Sequence, residues 1–133
     1  MTFVDSGILV GALLERHPEH KQCQAALLQY GDGFTDAHAL AETFATLTGF
    51  YKVPIDAAAE LTLALRGDLP IHALTMSDYE TAIGEARQRG VMGGGIYDSL
   101  HATFARRKRV KGIVTRNPSH FAHVAPDAEI LTP

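Results

Sequence analysis

Along this chain the spacing of apolar residues changes repeatedly from every second position to the three-and-four spacing of a helix, and that alternation leaves few architectures open. Thr2 to Val4, β-branched and aromatic and ending at Asp5, reads as a short buried strand, with Ile8 to Leu14 as a helix behind it. Pro18 fits the first turn of a second helix carrying Cys23, Ala26, Leu27 and Tyr30, which Gly31 stops. Phe34 and Thr35 make a minimal second strand. Asp36 can then cap a helix whose apolar stripe is Leu40, Phe44, Leu47 and Tyr51. A further helix runs from about Asp56 to Arg66, and Ile71 to Leu74 suits a third strand. Ser77 and Glu80 form a capping box for a helix through Arg89, closed by Gly90. Ile96 to Lys108 is helical by its Tyr97, Leu100 and Phe104 spacing, Gly112 to Thr115 is a fourth strand, and Glu129 to Leu131 a fifth. Short strands alternating with amphipathic helices predict an α/β fold: a parallel sheet of four to five strands with helices on both faces. Ligands of such sheets bind beyond the carboxyl ends of the strands, near the point where the strand order reverses.

A length of 133 residues predicts one domain spanning 1–133, with a core that needs no disulfide or structural metal. No apolar run approaches the ~18 residues of a membrane span, and no basic residue precedes Arg16, so neither an anchor nor a secretory signal is readable; the expectation is a cytoplasmic protein with no membrane partner. The lone Cys23 excludes an internal disulfide and reads as a small buried hydrophobe. The net charge of −3 conceals an uneven distribution, because Ser99 to Pro126 contains no acid and eight of the twelve Lys and Arg residues lie from Arg87 onward.

Three acids stand out by isolation. Asp5 is the only charge between Met1 and Leu14, Glu42 the only one from Ala37 to Tyr51, and Asp98 the only one from Gly90 to Ala105. Each alone has an ordinary reading: Asp5 as a helix cap, Glu42 as a surface residue, Asp98 as a first-turn acid complementing a helix dipole. Together, at strand exits and helix starts, they point to a cluster that a hard divalent cation would neutralise. Thr115-Arg116-Asn117 follows the fourth strand and should share an edge with Asp5, so Asn117 can offer a neutral oxygen and Thr115 a hydroxyl; an ordinary turn at Asn117-Pro118 is the plainer alternative. The seven histidines form no chelating set and are read as surface residues; His101, one turn beyond Asp98, is the one that a substrate could meet.

At these residues the sequence resembles the PIN-domain nucleases, in particular the VapC-type toxins of type II toxin–antitoxin pairs. The resemblance rests on Phe3-Val4-Asp5-Ser6, Ala39-Leu40-Ala41-Glu42, Gly95-Ile96-Tyr97-Asp98-Ser99-Leu100-His101-Ala102, and Ile113-Val114-Thr115-Arg116-Asn117 followed by His120-Phe121. It implies a three-layer α/β/α sandwich and carries the family's acidic quartet onto Asp5, Glu42, Asp98 and Asn117, with Ser6 and Thr115 in support. Many members have Asp at the last position, so Asn117 lowers the negative charge of this site. The resemblance further implies an endoribonuclease that uses Mg²⁺, with Mn²⁺ as a substitute, a homodimer, and a cognate antitoxin whose C-terminal segment docks in grooves between Leu9, Leu13 and the Leu40, Phe44, Leu47 stripe. Hydrolysis of a phosphodiester suits these residues, because Mg²⁺ held by a few carboxylates keeps open positions for substrate and water. Arg116, beside the acids, and Arg87 are the better candidates for phosphate contacts, and the segment from Arg106 to Lys111 reads either as a phosphate track or as a solvated helix end. The competing reading is a catalytically inactive PIN-like module that binds RNA or protein.

Overall fold

In the computed structural model, which describes residues 1–133, the element order is β1 (Thr2–Val4), α1 (Ser6–Leu13), α2 (His20–Gln29), β2 (Gly33–Asp36), α3 (Ala37–Gly49), α4 (Ile55–Ala64) with a 3₁₀ turn at Leu65–Gly67, β3 (Ile71–His72), α5 (Met76–Gly84), α6 (Ala86–Arg89), α7 (Gly95–Arg107), β4 (Gly112–Val114), α8 (Pro118–Phe121) and β5 (Glu129–Leu131). The five strands form one all-parallel sheet in the order β3-β2-β1-β4-β5. The chain leaves β1 toward β2 and β3, then returns to add β4 and β5 on the other side. The order therefore reverses beside β1, and Asp5 and Thr115 stand at the carboxyl ends of the two strands that flank the reversal.

Alternation along the central strands sends neighbouring side chains to opposite faces. Val4 and Val114 pack with Ile8, Leu9, Cys23 and Ala26 on one face; Phe3 and Ile113 pack with Phe34, Ala102, Phe104 and Phe121 on the other. The α1–α2 contact is tight at Gly11, where a Cβ would stand 2.4 Å from the Cys23 sulfur. Burial raises the Cys23 thiol to about 11, in keeping with a packing role.

Several boundaries differ from the sequence expectation. Thr75, not Ser77, caps α5: its hydroxyl accepts from the Asp78 N–H while the Asp78 carboxylate accepts from the Thr75 N–H. Asp78 fits that role because it is also buried against Arg107. The helix expected to run unbroken to Arg89 divides at Gly84-Glu85, where glycine weakens the helix, and Gly90 closes the second piece at a φ of 66°. In α3 the fully buried positions are Ala39, Thr43 and Leu47, while Leu40 and Phe44 are only half-buried. No helix is long and apolar enough to cross a membrane.

Candidate functional site

Asp5 ends β1 and caps α1, accepting the Ser6 N–H at Oδ1 (2.8 Å) and the Thr115 hydroxyl at Oδ2 (2.7 Å). The same Thr115 oxygen accepts the Asn117 N–H at 3.0 Å, so one hydroxyl ties the turn after β4 to the acid after β1. The side chain that caps α1 thus also faces the cleft at the carboxyl ends of the strands. Asp98 enters from the first turn of α7, and Glu42 from α3. Asp5, Glu42, Asp98 and Asn117 line a single cleft of about 300 Å³, together with Ser6, Arg116 and His120.

The cleft is electrostatically strained. Burial is the largest influence raising the Asp5 carboxyl above its ordinary value, opposed by the Thr115 hydrogen bond and reinforced by the charge of Glu42. Asp98 is pushed up to about 6, first by burial and then by Asp5, with the His120 imidazole 3.4 Å from its Oδ2 as a partial counterweight. No three His, Cys, Asp or Glu side chains converge closely enough to chelate an ion unaided. The donor set is nevertheless one that a small hard cation accepts: three carboxylates and a side-chain amide on one cleft, with the ionised forms of Asp5 and Asp98 disfavoured by burial and so favoured by an added positive charge.

His101 departs from the surface role expected of it. Its ring is fully buried, with Nδ1 against Asp36 Oδ2 and Nε2 hydrogen-bonded to Glu42 Oε1. Burial alone would lower its affinity for a proton, but the hydrogen bonds and charges of the two acids prevail and raise it to about 10. His17 is buried as well, and His120, 56% exposed, lines the cleft. The signal available in the sequence was the apolar run Leu100 to Ala105, within which a solvated histidine would be out of place. Tyr97, marked by the sequence only as part of an apolar helical face, is instead 44% exposed at the cleft and stacked on His38 with ring centroids 4.9 Å apart.

The basic candidates separate. Arg116 lines the cleft and donates from Nε to Glu19 at 2.8 Å. Arg106 does not line it: it lies about 12 Å along α7 from Asp98 by helical rise, and its guanidinium donates to the Val124 carbonyl and to Glu85. Arg107 is likewise occupied, bidentate on Asp78. Arg87 is exposed on α6 and outside the lining of the cleft. Of the two readings of the Arg106 to Lys111 segment, neither describes Arg106 and Arg107, which brace neighbouring elements; the C-terminus of α7 lies at the amino ends of the strands and the acids at their carboxyl ends.

Fold and cleft together define a small α/β protein with an acidic crevice at the reversal point of a parallel sheet. The sequence matches the PIN domain family over residues 2–126, and the chain belongs to that family. No curated protein matches the sequence. Among solved structures, the fold is similar to that of VapC20 from Mycobacterium tuberculosis, a toxin that cleaves the sarcin-ricin loop (TM-score 0.73, 16% identity, covering 85% of this chain and 87% of that one). It is similar also to a toxin–antitoxin complex from Klebsiella pneumoniae (0.72, 16%, 100% and 98%) and to VapBC2 of Rickettsia felis bound to a DNA fragment from its promoter (0.71, 18%, 99% and 98%). The shared feature is the fold of VapC toxins.

Proposed function

We propose that this protein is a Mg²⁺-dependent endoribonuclease and the toxin of a toxin–antitoxin pair. The observation that carries this reading is the convergence of Asp5, Glu42, Asp98 and Asn117, far apart in sequence, on one cleft of a PIN fold. Asp5, Glu42 and Asp98 would hold the cation, with Mn²⁺ able to replace Mg²⁺, and Asn117 would add a neutral oxygen. Such an ion, when bound, polarises the phosphoryl group and makes water a better nucleophile. Ser6 and Thr115 fix both oxygens of Asp5, so that this carboxylate needs no reorganisation as substrate arrives. Arg116 offers the phosphate contact, and the Tyr97 ring, backed by His38, offers a stacking face to an unpaired base, which favours single-stranded or looped RNA.

The antitoxin partner is supported by the toxin–antitoxin complexes among the structural neighbours. Of the residues expected to line its groove, Leu9 and Leu47 are fully buried and belong to the core. Leu13, Leu27 and Leu28 line a groove of about 390 Å³ beside α1 and α2 that would accept an apolar helix face. An Arg or Lys from that segment would replace the cation's charge in the cleft. Exposed Phe50, Ile55 and Leu63 around α3 and α4 offer a face for a homodimer. The reading places the protein in the cytoplasm.

Incubating the purified protein with single-stranded and looped RNA, with and without EDTA, tests the chemistry. Cleavage that EDTA stops and Mg²⁺ or Mn²⁺ restores is expected. RNA that is bound but never cut would overturn the nuclease reading in favour of a binding module. Expression alone in a bacterial host should arrest growth, and Asp5→Asn should relieve the arrest; unaffected growth at folded, soluble levels of the wild type removes the toxin role.

A further inference from the structure

We propose that His101 is a positioning residue that, clamped between Asp36 and Glu42, sets the Glu42 carboxylate for the cation. The inference rests on the metal-dependent reading above and concerns how one ligand of that site is held. Glu42 has the longest side chain of the three acids. Its side chain is 25% exposed, whereas Asp5 is fixed at both oxygens by Ser6 and Thr115. A long, partly solvated glutamate samples several rotamers, and each rotamer away from the cation costs affinity. The restraint on it comes from behind: Glu42 Oε1 accepts from His101 Nε2, which leaves Oε2 uncommitted.

The clamp is rigid because its far end is anchored in the sheet. Asp36 ends β2, is fully buried, and uses both carboxylate oxygens, Oδ1 accepting the Ala39 N–H at 3.0 Å and Oδ2 facing His101 Nδ1. The imidazole is flanked by the Phe3 ring at 5.4 Å and the His38 ring at 5.9 Å, and turning it over would break both hydrogen bonds at once. A histidine that only filled the core would be satisfied by Asp36. This one spends its second nitrogen on a residue of the cleft, the arrangement by which outer hydrogen bonds orient metal ligands and tune affinity.

Calorimetric titration of Mn²⁺ into the metal-free protein, without RNA, separates positioning from stability. His101→Gln, which cannot span both acids, is expected to lower Mn²⁺ affinity by about 10- to 100-fold. Asp36→Asn keeps the cap on Ala39 but presents an amide to His101, and is expected to lower affinity in the same direction. Asp78→Asn, remote from the cleft, should lower the melting temperature with no change in affinity. Folded His101→Gln with wild-type affinity overturns the inference while leaving the nuclease reading intact; if that variant does not fold, Asp36→Asn decides by the same criterion. A wild type that binds no Mn²⁺ overturns the metal-dependent reading and this inference together.

Discussion

Asp98 ionises near 6 in the fold but at its ordinary value, 3.8, once unfolded, because burial and the neighbouring Asp5 charge act only in the native state. Between those two values the native protein holds a proton that the unfolded chain has lost. The unfolded state thus binds fewer protons, and native stability falls as pH rises through this window. Thermal melts in EDTA should accordingly give a wild-type melting temperature that declines from about pH 4 to about pH 6.5, with a flatter course for Asp98→Asn. Mg²⁺ should reverse the decline by favouring the ionised carboxylates, and Asp98→Asn should be folded and inactive. A variant melting curve parallel to wild type across the window would show that Asp98 is not the group that titrates, and wild-type cleavage in that variant would remove it from the site.

At the scale of elements, α7 divides its work between its ends. Its first turn delivers Asp98 to the cleft. Its last turn ties the molecule together, Arg107 to Asp78 of α5 and Arg106 to Glu85 and the Val124 carbonyl. Arg107→Ala should cost about 1–3 kcal/mol, less than a fully buried pair because the arginine side chain is 38% exposed, and should leave cleavage intact. The Arg107 hydrogen bonds hold Asp78 below its ordinary value, so this contribution is present above about pH 4 and is lost as pH falls through the depressed native value. Chemical denaturation of wild type and variant at pH 7 and pH 3 reads it; a gap that does not narrow in acid would dismiss the brace. The same helix explains what the sequence conceals. Strands, helix order and three isolated acids were legible because each is a local pattern of period or charge. The partners of Arg106, Arg107 and His101 were not, since they come from residues as many as 65 positions away. Spacing marks Tyr97, Leu100 and Phe104 as one face of α7, yet every residue from Ser99 to Ala105 is buried, so the helix has no solvent side there to betray a polar residue with an inward task.

Across the whole molecule, the cleft acids stand at the carboxyl ends of the central strands and the exposed cations of the Arg109 to Lys111 region at their amino ends, where α7 finishes and β4 begins. Under the proposed reading, RNA at the cleft should therefore meet Arg116 and not the basic run. In EDTA, to prevent cutting, anisotropy of a labelled single strand against salt should lose about 0.7 from its log-log slope in Arg116→Gln. Arg109→Gln with Lys111→Gln should leave the slope as it was; a drop in that double variant would return the basic run to the binding surface. The architecture also governs when the cleft can form. The Thr115 partner of Asp5 lies 110 positions later in the chain, and β4, one of the two strands beside β1, is made just before it. A nascent chain that stops short of Asn117 lacks part of the cleft, so under the proposed reading the site is assembled only after β4 and the turn that follows it have been made.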